Sequence, residues 1–143
     1  MRHLLPLLLI AAPLAAAAQT EALVDYVVEN GSTIPDPLAE WEGGVEAGAA
    51  LHQSAGCADC HAAPGFEDAP AIGPDLSGVA DRLTEGETRL MVVNPRIVLP
   101  ETDMPAYYAV GQIGEVPDDL VGRTRLTPLE VEQIVAWLMS LSD

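Results

Sequence analysis

The chain has 143 residues, with 22 acidic side chains set against six arginines and no lysine, a formal charge of −16. Its length describes one domain. The charge argues against nucleic acid and anionic membrane surfaces, and it suits either a basic partner patch that steers encounter or the plain solubility of an acidic exported protein.

Met1-Arg2-His3 is a short basic start, Leu4 to Leu14 an apolar run, and Ala15 to Ala18 a small-residue stretch before Gln19. That order describes a secretory signal peptide over residues 1–18, with cleavage expected after Ala18. The apolar run is short for a bilayer span and is interrupted by Pro6 and Pro13. The expected mature chain, Gln19 to Asp143, therefore has no membrane span. It keeps five basic residues against 22 acidic ones, a formal charge near −17.

Glu21 to Glu29 fits a short helix or a strand, stopped by Asn30-Gly31. Ile34-Pro35-Asp36-Pro37-Leu38 is held extended by its two prolines. Residues 19–44 read as an N-terminal extension that lies on the following domain or reaches a partner. Trp41 reads as a cover for the core edge, with a partner anchor as the alternative. The domain itself is expected over residues 45–143. Its first helix spans Val45 to Ala55 and ends at Gly56. Gly48 inside it costs roughly 1 kcal/mol of helix stability and permits a close helix crossing. His52 on the same helix reads as a surface histidine.

Cys57-Ala58-Asp59-Cys60-His61 follows, a Cys-x-x-Cys-His run that reads as covalent attachment of one c-type haem. The two-residue gap lets both sulfurs reach the vinyl groups of one macrocycle, and His61 comes up beneath the iron as the proximal ligand. A thioredoxin-like pair would sit in a βαβ pattern and would not need His61. A zinc site would need more ligands than two cysteines with His3 and His52 at these spacings. A plain disulfide is the third alternative. A buried haem also suits a chain with only six aromatic residues, and export suits haem attachment outside the cytoplasm, in the periplasm.

Ala71 to Gly78 has loop character, and the Pro74 carbonyl is the best local acceptor for the second ring N–H of a metal-bound His61. Thr84-Glu85-Gly86-Glu87 opens a helix with a capping box, and that helix ends at Asn94-Pro95. Arg96 to Leu126 is a long loop, expected to hold the distal side of the haem. Thr127-Pro128-Leu129-Glu130 opens the last helix, running to about Leu141 with Val131, Ile134, Val135 and Leu138 as its apolar stripe. The expected architecture is all-α, three to four helices wrapped around one haem. For the sixth iron position His52 is an outside candidate, but it starts on the proximal side, where His61 already sits. Met91 and Met139 lie among apolar helical neighbours and read as core filler, whereas Met104 sits in the loop, stiffened by Pro105. A Met104 thioether favours ferrous iron and raises the reduction potential relative to a bis-histidine haem.

Taken together, Cys57/Cys60/His61, Gly73-Pro74, the downstream Met104 and the aromatic Trp137 on the last helix resemble class I cytochromes c. In that family the first and last helices cross with a glycine against an aromatic, here Gly48 and Trp137. The runs Met104-Pro105-Ala106-Tyr107-Tyr108, Val92-Val93-Asn94-Pro95, Ile34-Pro35-Asp36-Pro37-Leu38 and Gly122-Arg123-Thr124-Arg125-Leu126-Thr127 further resemble the X subunit of the sulfur-oxidising (Sox) cytochrome complex. This resemblance implies a haem-bearing A subunit as partner, with the two together oxidatively joining thiosulfate to a carrier-protein cysteine. It also implies that the X subunit only receives the electrons and hands them to an acceptor cytochrome. Two other roles are open to these residues. One is a free-standing electron shuttle; the other is a haem enzyme or gas sensor with an open sixth position.

Overall fold

A computed structural model describes residues 23–109 and 123–142. The expected signal peptide and its cleavage site lie outside them, as does residues 110–122 of the long loop. The described residues form four helices: α1 (Glu46–Ser54), α2 (Val79–Arg82), α3 (Glu85–Val93) and α4 (Pro128–Leu138). Short 3₁₀ turns cover Cys57–Asp59 and Pro95–Ile97. Among the described residues the only β pairing is an isolated bridge between Glu29 and Thr33, closing a turn in which Asn30 and Gly31 both have positive φ. Of the stretch before that turn, left open as helix or strand, residues 23–28 are neither. No helix among the described residues is long and apolar enough to cross a membrane.

Both expected capping boxes are formed. The Thr84 hydroxyl accepts from the Glu87 N–H while the Glu87 carboxylate accepts from the Thr84 N–H; Thr127 and Glu130 do the same at α4. Each arrangement satisfies two N–H groups that a helix start otherwise leaves without partners. α4 stops at Leu138, a turn short of the expected Leu141. The Ser140 hydroxyl donates to the Trp137 carbonyl at 2.6 Å, and the Leu141 carbonyl turns away to accept from the Ala80 N–H of α2 at 3.2 Å.

α4 is the hub, contacting both α1 and α3. Val131, Ile134, Val135 and Leu138, its predicted stripe, are all buried, and Trp137 with them. They meet Leu90, Val92 and Val93 of α3 in one apolar cluster. α1 crosses α4 at Gly48, where an added Cβ would overlap the Gln133 carbonyl and the Trp137 Cβ. Only a glycine lets the two backbones come that close. The glycine–aromatic crossing expected from sequence is present. His52, read as a surface residue, is instead 1% exposed. It lies four residues after Gly48 and so shares the face that α1 turns toward α4, and the close crossing buries it.

The described part of the extension, residues 23–44, lies on the helices. Ile34 and Leu38 are core residues, and a buried ion pair locks them down. Arg89 of α3, fully buried, meets Glu132 of α4 through Nε (2.9 Å) and Nη2 (2.9 Å). Its Nη1 donates to the Ile34 carbonyl at 2.8 Å, and Glu132 Oε1 accepts from the Leu38 N–H at 2.9 Å. Burial opposes the charge on Arg89, but the carboxylates of Glu132 and Glu85 outweigh it and hold its pKa above the ordinary value. Trp41, half-buried, sits at the edge of this region and lines a small cavity with Glu40, Glu132, Val135 and Met139.

Removing one partner of such a pair leaves an uncompensated buried charge, at a cost of about 3–5 kcal/mol. Glu132→Ala is expected to lower stability by that amount in guanidinium denaturation and to open residues 34–44 to limited proteolysis. A loss below about 1 kcal/mol, the range of a surface ion pair, would contradict the clamp.

Candidate haem-binding site

Gly56 has φ +81°, a left-handed value that ends α1 and turns the chain into the 3₁₀ turn carrying Cys57. The Cys57 carbonyl then accepts from the N–H groups of both Cys60 (3.1 Å) and His61 (3.0 Å). This turn gathers Cys57, Cys60 and His61, and both cysteines are free thiols, partly accessible. Burial pushes the Cys57 thiol up, keeping it protonated.

The Gly73–Leu76 segment is tied to the motif by two backbone bonds, Gly73 N–H to the Cys60 carbonyl and Leu76 N–H to the Ala62 carbonyl, each 2.8 Å. Across this seam His61 Nδ1 lies 2.8 Å from the Pro74 carbonyl, the predicted acceptor. A carbonyl can only accept, so Nδ1 carries the proton and the Nε2 lone pair is left for a metal. The ring rests directly over Gly73, where an added Cβ would overlap it. These are the properties a proximal haem ligand needs: a fixed tautomer, a fixed ring and a free nitrogen beside two thiols.

Met104 lies in the loop after the Pro95–Ile97 turn, half-buried against the core, with its N–H donated to the Thr102 hydroxyl at 3.2 Å. The run after it is fixed to the end of α3: Tyr107 N–H bonds the Val92 carbonyl (3.2 Å) and Tyr108 N–H the Val93 carbonyl (3.1 Å). Tyr107 is buried, and its hydroxyl lies 3.9 Å from Cys57 Sγ. Burial, then the neighbouring Cys57, raises its pKa and keeps the phenol neutral. A residue three positions after Met104 thus touches the first cysteine of the motif, which brings the Met104 loop to the Cys57–His61 site. Met139 is engaged elsewhere: it accepts from the Thr88 hydroxyl at 3.5 Å and lines the Trp41 cavity.

The residues fit a covalently attached haem. Apolar side chains left exposed on the flanking segments suit it as well: Ile72 next to Gly73, and Ile97, Val98 and Leu99 just before Met104. Among the described residues no three His, Cys, Asp or Glu side chains gather as a zinc site requires. Two residues at the site were not placed there on sequence grounds. Tyr107 appeared there only within a longer run, since no spacing rule connects it to Cys57. His52, whose Nε2 lies 3.2 Å from the His61 carbonyl, has as its only sequence signal its four-residue spacing from Gly48.

The cytochrome c family profile matches residues 45–142. A chain of the crystal structure titled SoxXA from P. pantotrophus aligns with a TM-score of 0.67 at 28% sequence identity, covering 84% of this chain and 95% of that one. None of the curated proteins matches this chain.

Because His61 rests on Gly73, Gly73→Val is expected to tilt the imidazole and weaken its bond to Pro74. In ¹⁵N-histidine NMR the His61 Nδ1–H signal should shift and exchange faster with water. An unchanged signal would contradict the cradle.

Proposed function

The chain belongs to the cytochrome c family, and from that premise we propose that it is the electron-transfer subunit of a thiosulfate-oxidising complex, paired with a haem-bearing A subunit. Family membership implies covalent haem c and an electron-transfer role, and Cys57-Ala58-Asp59-Cys60-His61 fits the attachment motif. The bound haem supplies a one-electron store. In this reading Cys57 and Cys60 hold it by thioether bonds, His61 Nε2 is the proximal ligand, Pro74 keeps the proton on His61 Nδ1, and the Met104 thioether is the sixth ligand. The observation that carries the reading is the Tyr107–Cys57 contact, which joins the Met104 loop to the attachment turn.

Two strong protein ligands leave the iron little to do except pass electrons. Attachment also consumes both cysteines of the chain, so no thiol remains to carry a thiosulfate adduct. The bond-forming chemistry then belongs to the A subunit, and this chain takes the electrons and passes them to an acceptor cytochrome. The likeness to a chain of SoxXA, extending over residues well outside the haem motif, supports this home for it. Its acidity suits basic docking patches on partners, and the signal-like start supports a periplasmic setting.

Met104→Ala is expected to keep haem attached but let the ferrous protein bind carbon monoxide, which the parent protein does not. Failure to gain carbon monoxide binding would remove Met104 as the ligand. Met104→His should lower the reduction potential, as exchange of a thioether for a second imidazole does. For the physiological role, a host strain lacking this chain should lose thiosulfate-dependent respiration and regain it with the parent gene but not with Cys57→Ala/Cys60→Ala. Normal respiration on thiosulfate without the chain would overturn the assignment.

A further inference from the structure

We propose that His52 is a positioning residue for the axial ligand: held between Phe66 and Trp137, it donates Nε2–H to the main-chain carbonyl of His61 and so ties the ligand's backbone to the α1–α4 crossing. The inference rests on the reading of His61 as iron ligand.

His52 fills a core position that a phenylalanine or leucine would fill without burying a polar atom. It is 1% exposed, and its ring centroid lies 4.9 Å from that of Phe66 and 4.7 Å from that of Trp137. Those rings themselves meet edge-on, with centroids 5.9 Å apart. An imidazole buried among aromatics costs free energy unless its N–H finds an acceptor. The acceptor here is the His61 carbonyl, 3.2 Å from Nε2. Since a carbonyl cannot donate, the ring must be the Nε2–H tautomer.

His61 is thereby fixed from three sides. Its N–H is bound by the Cys57 carbonyl at 3.0 Å, its side chain by Pro74 at 2.8 Å, and its carbonyl by His52. The first two anchors belong to the loops that surround the site. The third comes from the most tightly packed crossing of the fold, since His52 sits four residues from Gly48 and against Trp137. The backbone fixes where the ligand side chain starts, so His52 bears on the ring orientation that Pro74 and Gly73 complete, without touching the iron.

The first test uses the intact holoprotein. In ¹⁵N-histidine NMR of the reduced protein, His52 should be the neutral Nε2–H tautomer with that proton slow to exchange. An Nδ1–H tautomer, or a rapidly exchanging Nε2–H, overturns the proposal whether or not any variant folds. Two substitutions then separate positioning from packing. His52→Phe keeps an aromatic and loses the donor, whereas His52→Gln brings an amide N–H to a similar reach. In the oxidised protein, where hyperfine-shifted haem methyl resonances report the ligand-ring orientation, His52→Phe should shift the pattern and His52→Gln should return it toward the parent. A parental pattern in His52→Phe reduces His52 to core filler. Hyperfine-shifted ring resonances of His61 in the oxidised parent protein report its ligation separately. If His61 shows none, the ligand assignment falls and this inference with it; if it shows them and the His52→Phe pattern is parental, this inference alone falls.

Discussion

A methyl group at position 48 would collide with the Gln133 carbonyl and the Trp137 Cβ, and that bare backbone-to-backbone crossing governs the rest of the molecule. It brings α1 onto α4, which aligns Gly56 and the attachment turn against the core and presses His52 onto Trp137. The haem motif is then built outward from a rigid junction, while the Gly73–Leu76 segment closes on it through backbone bonds. The scarcity of large aromatics suits this plan. Three of the six are spent at two points, with Phe66 and Trp137 around His52 and Tyr107 against Cys57.

The extension is held by a different force. Arg89 and Glu132 form an ion pair out of water, and their remaining hydrogen-bonding capacity is used on the carbonyl of Ile34 and the N–H of Leu38. A buried pair of this kind is costly to assemble and costlier to break, so its benefit here lies in specifying which segment covers α3 and α4. Residues 23–44 thus act as part of the folded body, and the presence of an extension is explained by packing before any partner is invoked.

Most of the site could be read in the amino-acid order because its chemistry is local. Cys57, Cys60 and His61 lie within one turn, both capping boxes are four-residue signals, and the Pro74 carbonyl is thirteen residues from the ring it binds. The features that escaped depend on distant segments meeting. His52 was read as a surface residue because His61 already occupies the proximal side on which it starts, and only the Gly48 crossing reveals what it faces. Tyr107 reaches Cys57 across fifty residues of chain, and Arg89 finds Glu132 across 43; periodicity carries no trace of either. The end of α4 was misplaced by one turn because the Ser140 hydroxyl takes the Trp137 carbonyl and the chain beyond turns to bond Ala80 through Leu141.

The site has the makings of an electron carrier rather than a catalyst. Its histidine has a fixed tautomer and orientation, its candidate sixth ligand sits on a loop tied to the end of α3, and its thiols are both accounted for by attachment. In the proposed complex the bond-making falls to the partner, and this chain contributes a rigid electron site. The most direct measurement is gentle purification of the chain from a native periplasmic extract, with haem staining of what travels with it, followed by addition of thiosulfate. The account predicts a second, larger haem protein at a fixed ratio and reduction of this chain's haem when thiosulfate and the carrier protein are supplied. A chain that emerges alone and stays oxidised with thiosulfate would contradict it.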